Sequence, residues 1–326
     1  MRAATLFFLV FVLAGAAGAQ KHSVDIRVPS AYQRLNLRSS ATLQAMIDEA
    51  VRKLTTDKLI EADKIAVTLI DLRDPAQAPT ASYRGDERIY PASVIKLFYL
   101  AAIERQLEDK QVRDTPELQR GIHDMIVNSS NEATQYILDV ITGTSSGAEL
   151  QGKDFDAWQY KRDRVNRWFT GLGYTNINAN QKTVCEDAYG IEHESRALNG
   201  GNLNALTTNA TARLLSEIVL GRVNTVDRTA FMKSLLSRDW AKPSNDTDDQ
   251  ATGFTGRMLI DKKLTGARLW SKAGWTSTTR HDAAYIETPN GLKFVLVTFT
   301  QGHATDRAII PTLAGHVLEG LEALAK

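Results

Sequence analysis

Apolar residues recur along the chain in two rhythms, one of helical spacing and one of short alternating or fully apolar runs. "SATLQAMIDEAVRKL" (40–54) sets Leu43, Met46, Ile47, Val51 and Leu54 on one helical face, with Ser40 as the candidate N-cap. "KIAVTLIDLRD" predicts a strand ended by the "DPAQAP" turn, and "TASYRGDERI" predicts its hairpin partner. Thr115 caps a predicted helix with Pro116 at its first position and Leu118, Ile122, Met125 and Ile126 as its stripe. "NSSN" (128–131) interrupts it, and "EATQYILDVITG" predicts another helix stopping at Gly143. A helix is predicted around Trp158–Phe169, and a long polar stretch follows. Such stretches in a folded domain usually carry function or lack order. "TTNATARLLSEIVLG" predicts a helix capped by Thr208. Near the end, "RLWSKAGWTS", "DAAYIET" and "KFVLVTFTQG" predict three strands, and "TDRAIIPTLAGHVLEGLEALA" a closing helix. The pattern implies an α+β fold. An antiparallel sheet built from both ends of the chain is flanked by terminal helices, and an all-α lobe over about residues 93–220 lies between.

One segment breaks its own pattern. "IYPASVIKLFYLAAIE" (89–104) is apolar on every side of a helix yet carries Ser93 and Lys96, three residues apart and so on one face. Burying a lysine is costly, and the position suggests use. A helix start offers free N–H groups to an oxyanion, and desolvation depresses a lysine until it can act as a base. The alternative is a partly exposed helix start with Lys96 reaching outward. Two further segments bear on the choice. Ser129, Ser130 and Asn131 stand at the break between two helices, where a loop can aim a hydroxyl and a carboxamide into a cleft; a plain N-cap is the other reading. In "WSKAGWTS", a strand edge with Lys272 can pair with an extended substrate; a lysine that merely protects an edge strand is the other reading.

Composition narrows the classes. The 326 residues are 43% hydrophobic and 24% charged, ordinary globular values, and the net charge of +1 argues against a nucleic-acid or membrane-surface partner. "GLGYTN" lacks the third glycine of a dinucleotide loop. Arg2, the apolar run 6–13 and the small residues Ala17 and Ala19 read as a secretory signal peptide (1–19) cut before Gln20, too short to span a membrane. A secreted, periplasmic protein without a membrane anchor after cleavage is expected, with residues 20–39 as an extended lead-in to the domain at 40–326. Cys185 is the only cysteine, so no internal disulfide can form. His22, His123, His193, His281, His303 and His316 show no ligand spacing; no metal and no cofactor are expected. His281 and Asp282 are strand neighbours that point to opposite faces, which argues against a Ser-His-Asp triad.

Ser-x-x-Lys, then Ser-x-Asn, then Lys-x-Gly near the C-terminus is a combined signature. In it the chain resembles the serine β-lactamase and penicillin-binding protein superfamily, class A β-lactamase-like serine hydrolases in particular, over roughly residues 40–326. The resemblance implies Ser93 as the acylated nucleophile and Lys96 as its activating base or proton relay. It implies that Ser129 passes a proton to the leaving nitrogen, that Asn131 holds the substrate's side-chain amide, and that Lys272 orients Ser129 and attracts the substrate carboxylate. Gly274 would permit close backbone approach, the N–H groups of Ser93 and Trp275 would form an oxyanion hole, and Thr276 and Arg280 would anchor a carboxylate. There are departures. Ala273 replaces the family's usual Thr, Ser130 its usual Asp, and the 36-residue interval from Ser93 to Ser129 is shortened. The family's Glu-x-x-Leu-Asn appears as "ESRALN" with one residue too many. Glu194 matches it best as deacylation base, followed by Glu192 and Glu186. The expected activity is β-lactam hydrolysis through an acyl-enzyme on Ser93. The alternatives are a D-alanyl-D-alanine carboxypeptidase or endopeptidase on peptidoglycan and a penicillin-binding sensor that does not turn over.

Overall fold

The computed structural model describes residues 25–183 and 187–325. The segment read as a signal peptide, Cys185 and Glu186 lie outside the described residues. Seven strands form one sheet: β1 (Leu37–Ser39), β2 (Ile65–Asp71), β3 (Ala78–Tyr83), β4 (Ser237–Arg238), β5 (Arg268–Trp275), β6 (Thr279–Glu287) and β7 (Lys293–Gln301). Their spatial order is β1-β3-β2-β7-β6-β5-β4. α1 (Ala41–Thr56) precedes the first hairpin and α11 (Ile309–Leu324) ends the chain. Between β3 and β4 come α2 (Lys96–Glu108), α3 (Pro116–Ile126), α4 (Asn131–Thr142), α5 (Lys153–Arg162), α6 (Arg164–Gly171), α7 (Ile191–Ala197), α8 (Thr208–Val219) and α9 (Val226–Leu236). α10 (Thr255–Asp261) leads into β5.

β2 is buried at every position, the pattern of a strand covered on both faces. Alternation along the strands divides the core in two. Ala283 and Tyr285 of β6 and Val295 and Val297 of β7 join Phe98, Leu100 and Trp168 of the helical lobe. Ala284, Ile286, Phe294 and Leu296 join Leu43, Ile47 and Val51 of α1 and Val317 and Leu321 of α11. One residue of register therefore decides which face a side chain serves.

Ser40 accepts from the Leu43 N–H at 3.2 Å and Thr115 from the Leu118 N–H at 3.2 Å, as the capping signals predict. Gly143 closes α4 at φ 64°. Several expectations are corrected. The sheet is mixed, because β1 runs parallel to β3 after the chain has crossed over through α1 and β2. The α8 cap is Thr207, whose hydroxyl accepts from the Ala210 N–H at 3.1 Å; Thr208 lies inside the helix and meets the Thr68 hydroxyl at 2.8 Å. The helix expected around Trp158–Phe169 is two helices that meet at Asp163. The polar N-terminal stretch contributes β1 and buries Ile26 and Leu35, with Glu217 of α8 accepting from the Leu35 N–H at 2.9 Å. Among the described residues, no helix is long and apolar enough to cross a membrane.

Candidate active site

Ser93 stands on a single 3-10 turn, Ala92–Ile95, that continues into α2. Val94, Ile95, Leu97 and Phe98 are fully buried and fix the turn in the core, while Ser93 stays half-exposed at its front. Ala92 is forced to φ 46°, a left-handed conformation that non-glycine residues adopt at a cost. As a first-turn residue, Ser93 presents an N–H with no preceding helical carbonyl to reach. β5 abuts this turn. A Cβ added to Gly274 would lie 2.7 Å from the Ser93 nitrogen and 2.9 Å from that of Val94, so only glycine fits. The Thr276 N–H donates to the Thr279 carbonyl at 3.0 Å, which makes Trp275, opposite Arg280, a non-hydrogen-bonded ladder position. The Trp275 N–H therefore faces the strand's outer edge. β4 covers that edge only at Leu269 and Trp270, which leaves it open beside Ser93.

Lys96 is fully buried, which excludes a side chain reaching into solvent. Its amine donates to the Ser129 carbonyl at 2.5 Å, the Ser129 hydroxyl at 3.2 Å and the Asn131 amide oxygen at 3.0 Å. Ser130 alone caps α4, accepting from the Ala133 N–H at 3.0 Å, and so releases Ser129 and Asn131 to the cleft. Ser129 is held at φ 54°, a second strained position at the same site. From the opposite side the Lys272 amine reaches the Ser129 hydroxyl at 3.0 Å. Lys272 too is fully buried, so it does not act as an edge-protecting lysine. Burial pushes its ammonium well below the usual lysine range, and Lys96 and Arg238 add to the effect against an opposing Asp282. The Ser129 oxygen thus sits between two buried lysines.

Other expected residues lie elsewhere. The Glu194 carboxylate accepts from the Leu150 N–H at 3.1 Å and lines a groove with Phe155, Leu198 and Asn199; among the described residues it touches none of Ser93, Lys96 and Ser129. The extra residue of "ESRALN" falls within α7, on which Glu194 is half-buried. Glu192 is locked to the fully buried Arg162 at 2.7 and 2.9 Å and to Lys182 at 3.2 Å. Burial opposes its charge, but the Arg162 guanidinium and Lys182 together hold its carboxyl below the ordinary range. Arg280 shares the sheet face of Ala273 and Trp275, away from Lys272, as period-2 alternation requires. It is buried, pairs with Asp248 at 2.6 Å and stacks over Phe254 at 3.8 Å, so the carboxylate-anchoring expectation is corrected for it. The Thr276 hydroxyl lies just past the end of β5, half-buried and 3.0 Å from that of Thr279. His281 lies 2.9 Å from the Tyr90 carbonyl and accepts from the Thr300 N–H at 3.1 Å. Asp282 accepts from the Thr255 N–H at 3.1 Å on the other face, so the two form no triad.

Two residues had no sequence signal. Gln250 accepts from Lys272 at 2.6 Å within the loop between β4 and α10. Arg238 donates to the carbonyls of Ser271 at 2.8 Å and Ile126 at 3.3 Å. Both lie in polar or isolated stretches without periodicity, and only spatial proximity shows them. Among the described residues no cluster of three or more His, Cys, Asp or Glu is placed to hold a metal.

A turn-borne serine, two buried lysines on a shared hydroxyl and an open strand edge come together at one site. Residues 112–319 match the model of the beta-lactamase enzyme family. The chain belongs to that family. The family member is 25% identical to the Escherichia coli beta-lactamase Toho-2 over 301 residues, 87% of this chain and 93% of that protein. In structure it is similar to the TLA-3 extended-spectrum beta-lactamase, with a TM-score of 0.61 at 14% identity over 87% of this chain and all of that one. A mutant of PBP-A captured as an acyl-enzyme complex with penicillin G gives 0.59 at 16% identity, over 88% and 98% of the two chains. As an enzyme of this family the protein is a hydrolase acting on β-lactam amides.

Proposed function

We propose that the family member is a class A-like serine β-lactamase that works through an acyl-enzyme on Ser93. The Ser93 hydroxyl attacks the lactam carbonyl and Lys96 takes its proton. The Ser93 and Trp275 N–H groups hold the developing oxyanion. Ser129 delivers a proton to the ring nitrogen as the C–N bond breaks, Asn131 holds the side-chain amide, and Thr276 meets the substrate carboxylate. Water then hydrolyses the ester. The observation that carries this reading is the Ser129 hydroxyl set between Lys96 and Lys272 at 3.2 and 3.0 Å. That is a proton path from the nucleophile's base to the leaving group. The N-terminal sequence supports export to the periplasm.

Deacylation needs a base within hydrogen-bond reach of a water at the ester. Glu194 and Glu192 are engaged elsewhere, which leaves Glu186 of the three sequence candidates. The same engagement favours a second reading, in which the adduct persists and the protein is a D-alanyl-D-alanine peptidase or a penicillin-binding sensor. Intact-mass spectrometry with penicillin over time separates the two. A transient adduct on Ser93, lost in Ser93→Ala and prolonged in Glu186→Gln, is expected. An adduct on another residue would overturn the nucleophile, and a lasting adduct on the unaltered protein would replace hydrolysis with the second reading.

A further inference from the structure

Lys272 has a complete set of partners whose chemistry is asymmetric. Its amine contacts the Gln250 amide oxygen at 2.6 Å, the Ala273 carbonyl at 2.8 Å and the Ser129 hydroxyl at 3.0 Å. The first two can only accept, whereas a hydroxyl can accept or donate. An ammonium fills all three positions with its three protons. A neutral amine keeps its two protons on the carbonyl oxygens and turns its lone pair to the Ser129 hydroxyl. The third position points at Ser129 in either state.

Gln250 makes this possible. Its side chain is buried, and its amide nitrogen donates to the Val127 carbonyl at 3.0 Å. Because Val127 can only be an acceptor, the amide orientation is fixed and the oxygen must face Lys272. Val127 is the C-cap of α3, two residues before Ser129, so one amide ties the lysine of β5 to the turn that carries the hydroxyl. The loop itself is pinned beside Gln250, where the Asp249 carboxylate accepts from the Ala251 and Thr252 N–H groups at 2.9 Å. A carboxylate at this place would hold the ammonium as a buried ion pair; an amide positions it without adding charge.

We propose that Gln250 is a positioning residue that aims a Lys272 proton at the Ser129 hydroxyl, so that Lys272 resupplies Ser129 as it protonates the leaving nitrogen. The inference rests on the acyl-enzyme reading above. In the step, the Ser129 O–H bond breaks as the ring nitrogen takes the proton. A Lys272 N–H proton passes to the Ser129 oxygen and leaves a neutral amine. The Lys96 ammonium, which holds the proton taken from Ser93, returns it to Lys272 through the same hydroxyl. The net transfer is one proton from the Ser93 hydroxyl to the ring nitrogen, with Lys96, Ser129 and Lys272 back in their starting protonation states.

Acylation then requires the Lys272 ammonium and falls on the alkaline side as that proton is lost. Among the described residues, the groups that act on Lys272 are Lys96 of α2, when it carries a proton, and Arg238 of β4, which lower its proton affinity, and Asp282 of β6, which raises it. The test is the rate of penicillin adduct formation on Ser93 against pH in the full chain. Gln250→Met removes the acceptor at similar volume. It is expected to slow acylation about tenfold or more through misplacement and to move the alkaline limb to lower pH. Gln250→Glu adds a carboxylate beside the ammonium and is expected to move that limb to higher pH. Thermal unfolding of each variant monitors the fold. A labelled wild type whose limb stays in place in both variants, or shifts the same way in both, overturns the role of Gln250 alone. No adduct on the wild type overturns the acyl-enzyme reading and this inference with it.

Discussion

Two clusters of buried cations among the described residues have partners that differ in kind. In the helical lobe, Arg162 and Lys182 meet carboxylates: Glu192 at 2.7 Å and Asp139 at 2.6 Å. Thr144 and Ser146 fill further valences at 3.1 and 2.8 Å. At the cleft, Lys272 and Arg238 meet a hydroxyl, an amide and carbonyls, and no carboxylate accepts from either among the described residues. The first arrangement satisfies charge with charge and ties α5 to α7. The second leaves positive charge underused; burial draws Lys272 well below its usual range and Arg238 down to about 10. Paired charges make structure, whereas positive charge held by neutral oxygens remains available to a substrate or a moving proton.

That contrast can be broken most sharply at Lys96. Lys96→Ala is expected to slow acylation of Ser93 by about a hundredfold to ten-thousandfold, the range for a lost general base, as read by stopped-flow or quenched mass spectrometry. A wild-type rate would make Lys96 a structural residue. In the helical lobe the effect should fall on stability instead. Arg162→Ala removes both guanidinium bonds to Glu192, leaving it Lys182 and Ser146, and is expected to cost about 3 kcal/mol in denaturant unfolding. Lys272→Met, at the other cluster, should cost clearly less than that while it abolishes most of the acylation. If both substitutions destabilise equally, the contrast between the clusters fails.

His281 sharpens the picture through pH. Burial lowers it from 6.5 to about 4. The folded state therefore refuses a proton that the unfolded chain accepts, so its contribution is intact above about pH 6.5 and is lost as the pH falls toward 4. At about 1.4 kcal/mol per factor of ten in proton affinity, that span amounts to roughly 3 kcal/mol. Unfolding measured between pH 7 and 4 should show this loss in the wild type, reduced by about that amount in His281→Gln. The smallest effect is expected at Glu194. Glu194→Gln should leave acylation and adduct lifetime unchanged, because its carboxylate is bonded to the Leu150 N–H. A lasting adduct in that variant would return it to the cleft.

Local patterns were enough to make the α+β class, the terminal helices, the caps at Ser40 and Thr115 and the stop at Gly143 legible from sequence. Each depends on spacing or on side chain to backbone bonds within four residues, and such information is local in the chain. Ser93, Lys96, Ser129, Asn131 and Lys272 were legible as candidates because a charge or hydroxyl in an apolar run or at a helix break is costly enough to stand out. The boundary between Thr207 and Thr208 was not legible, since two adjacent threonines offer the same cap.

What only the tertiary structure decided are the matters of face, register and distant partner. Alternation sends Arg280 to the sheet face opposite Lys272, although it pairs with Trp275 only three positions further along β5. On α7, Glu194 meets the Leu150 N–H and Glu192 meets Arg162, partners 44 and 30 positions away. Gln250 meets a lysine 22 positions away and a carbonyl 123 positions away. The physical reason is the range of the forces. Helix and strand preferences act over a few residues, whereas a buried amine's partners are whatever groups the packed core brings within 3 Å.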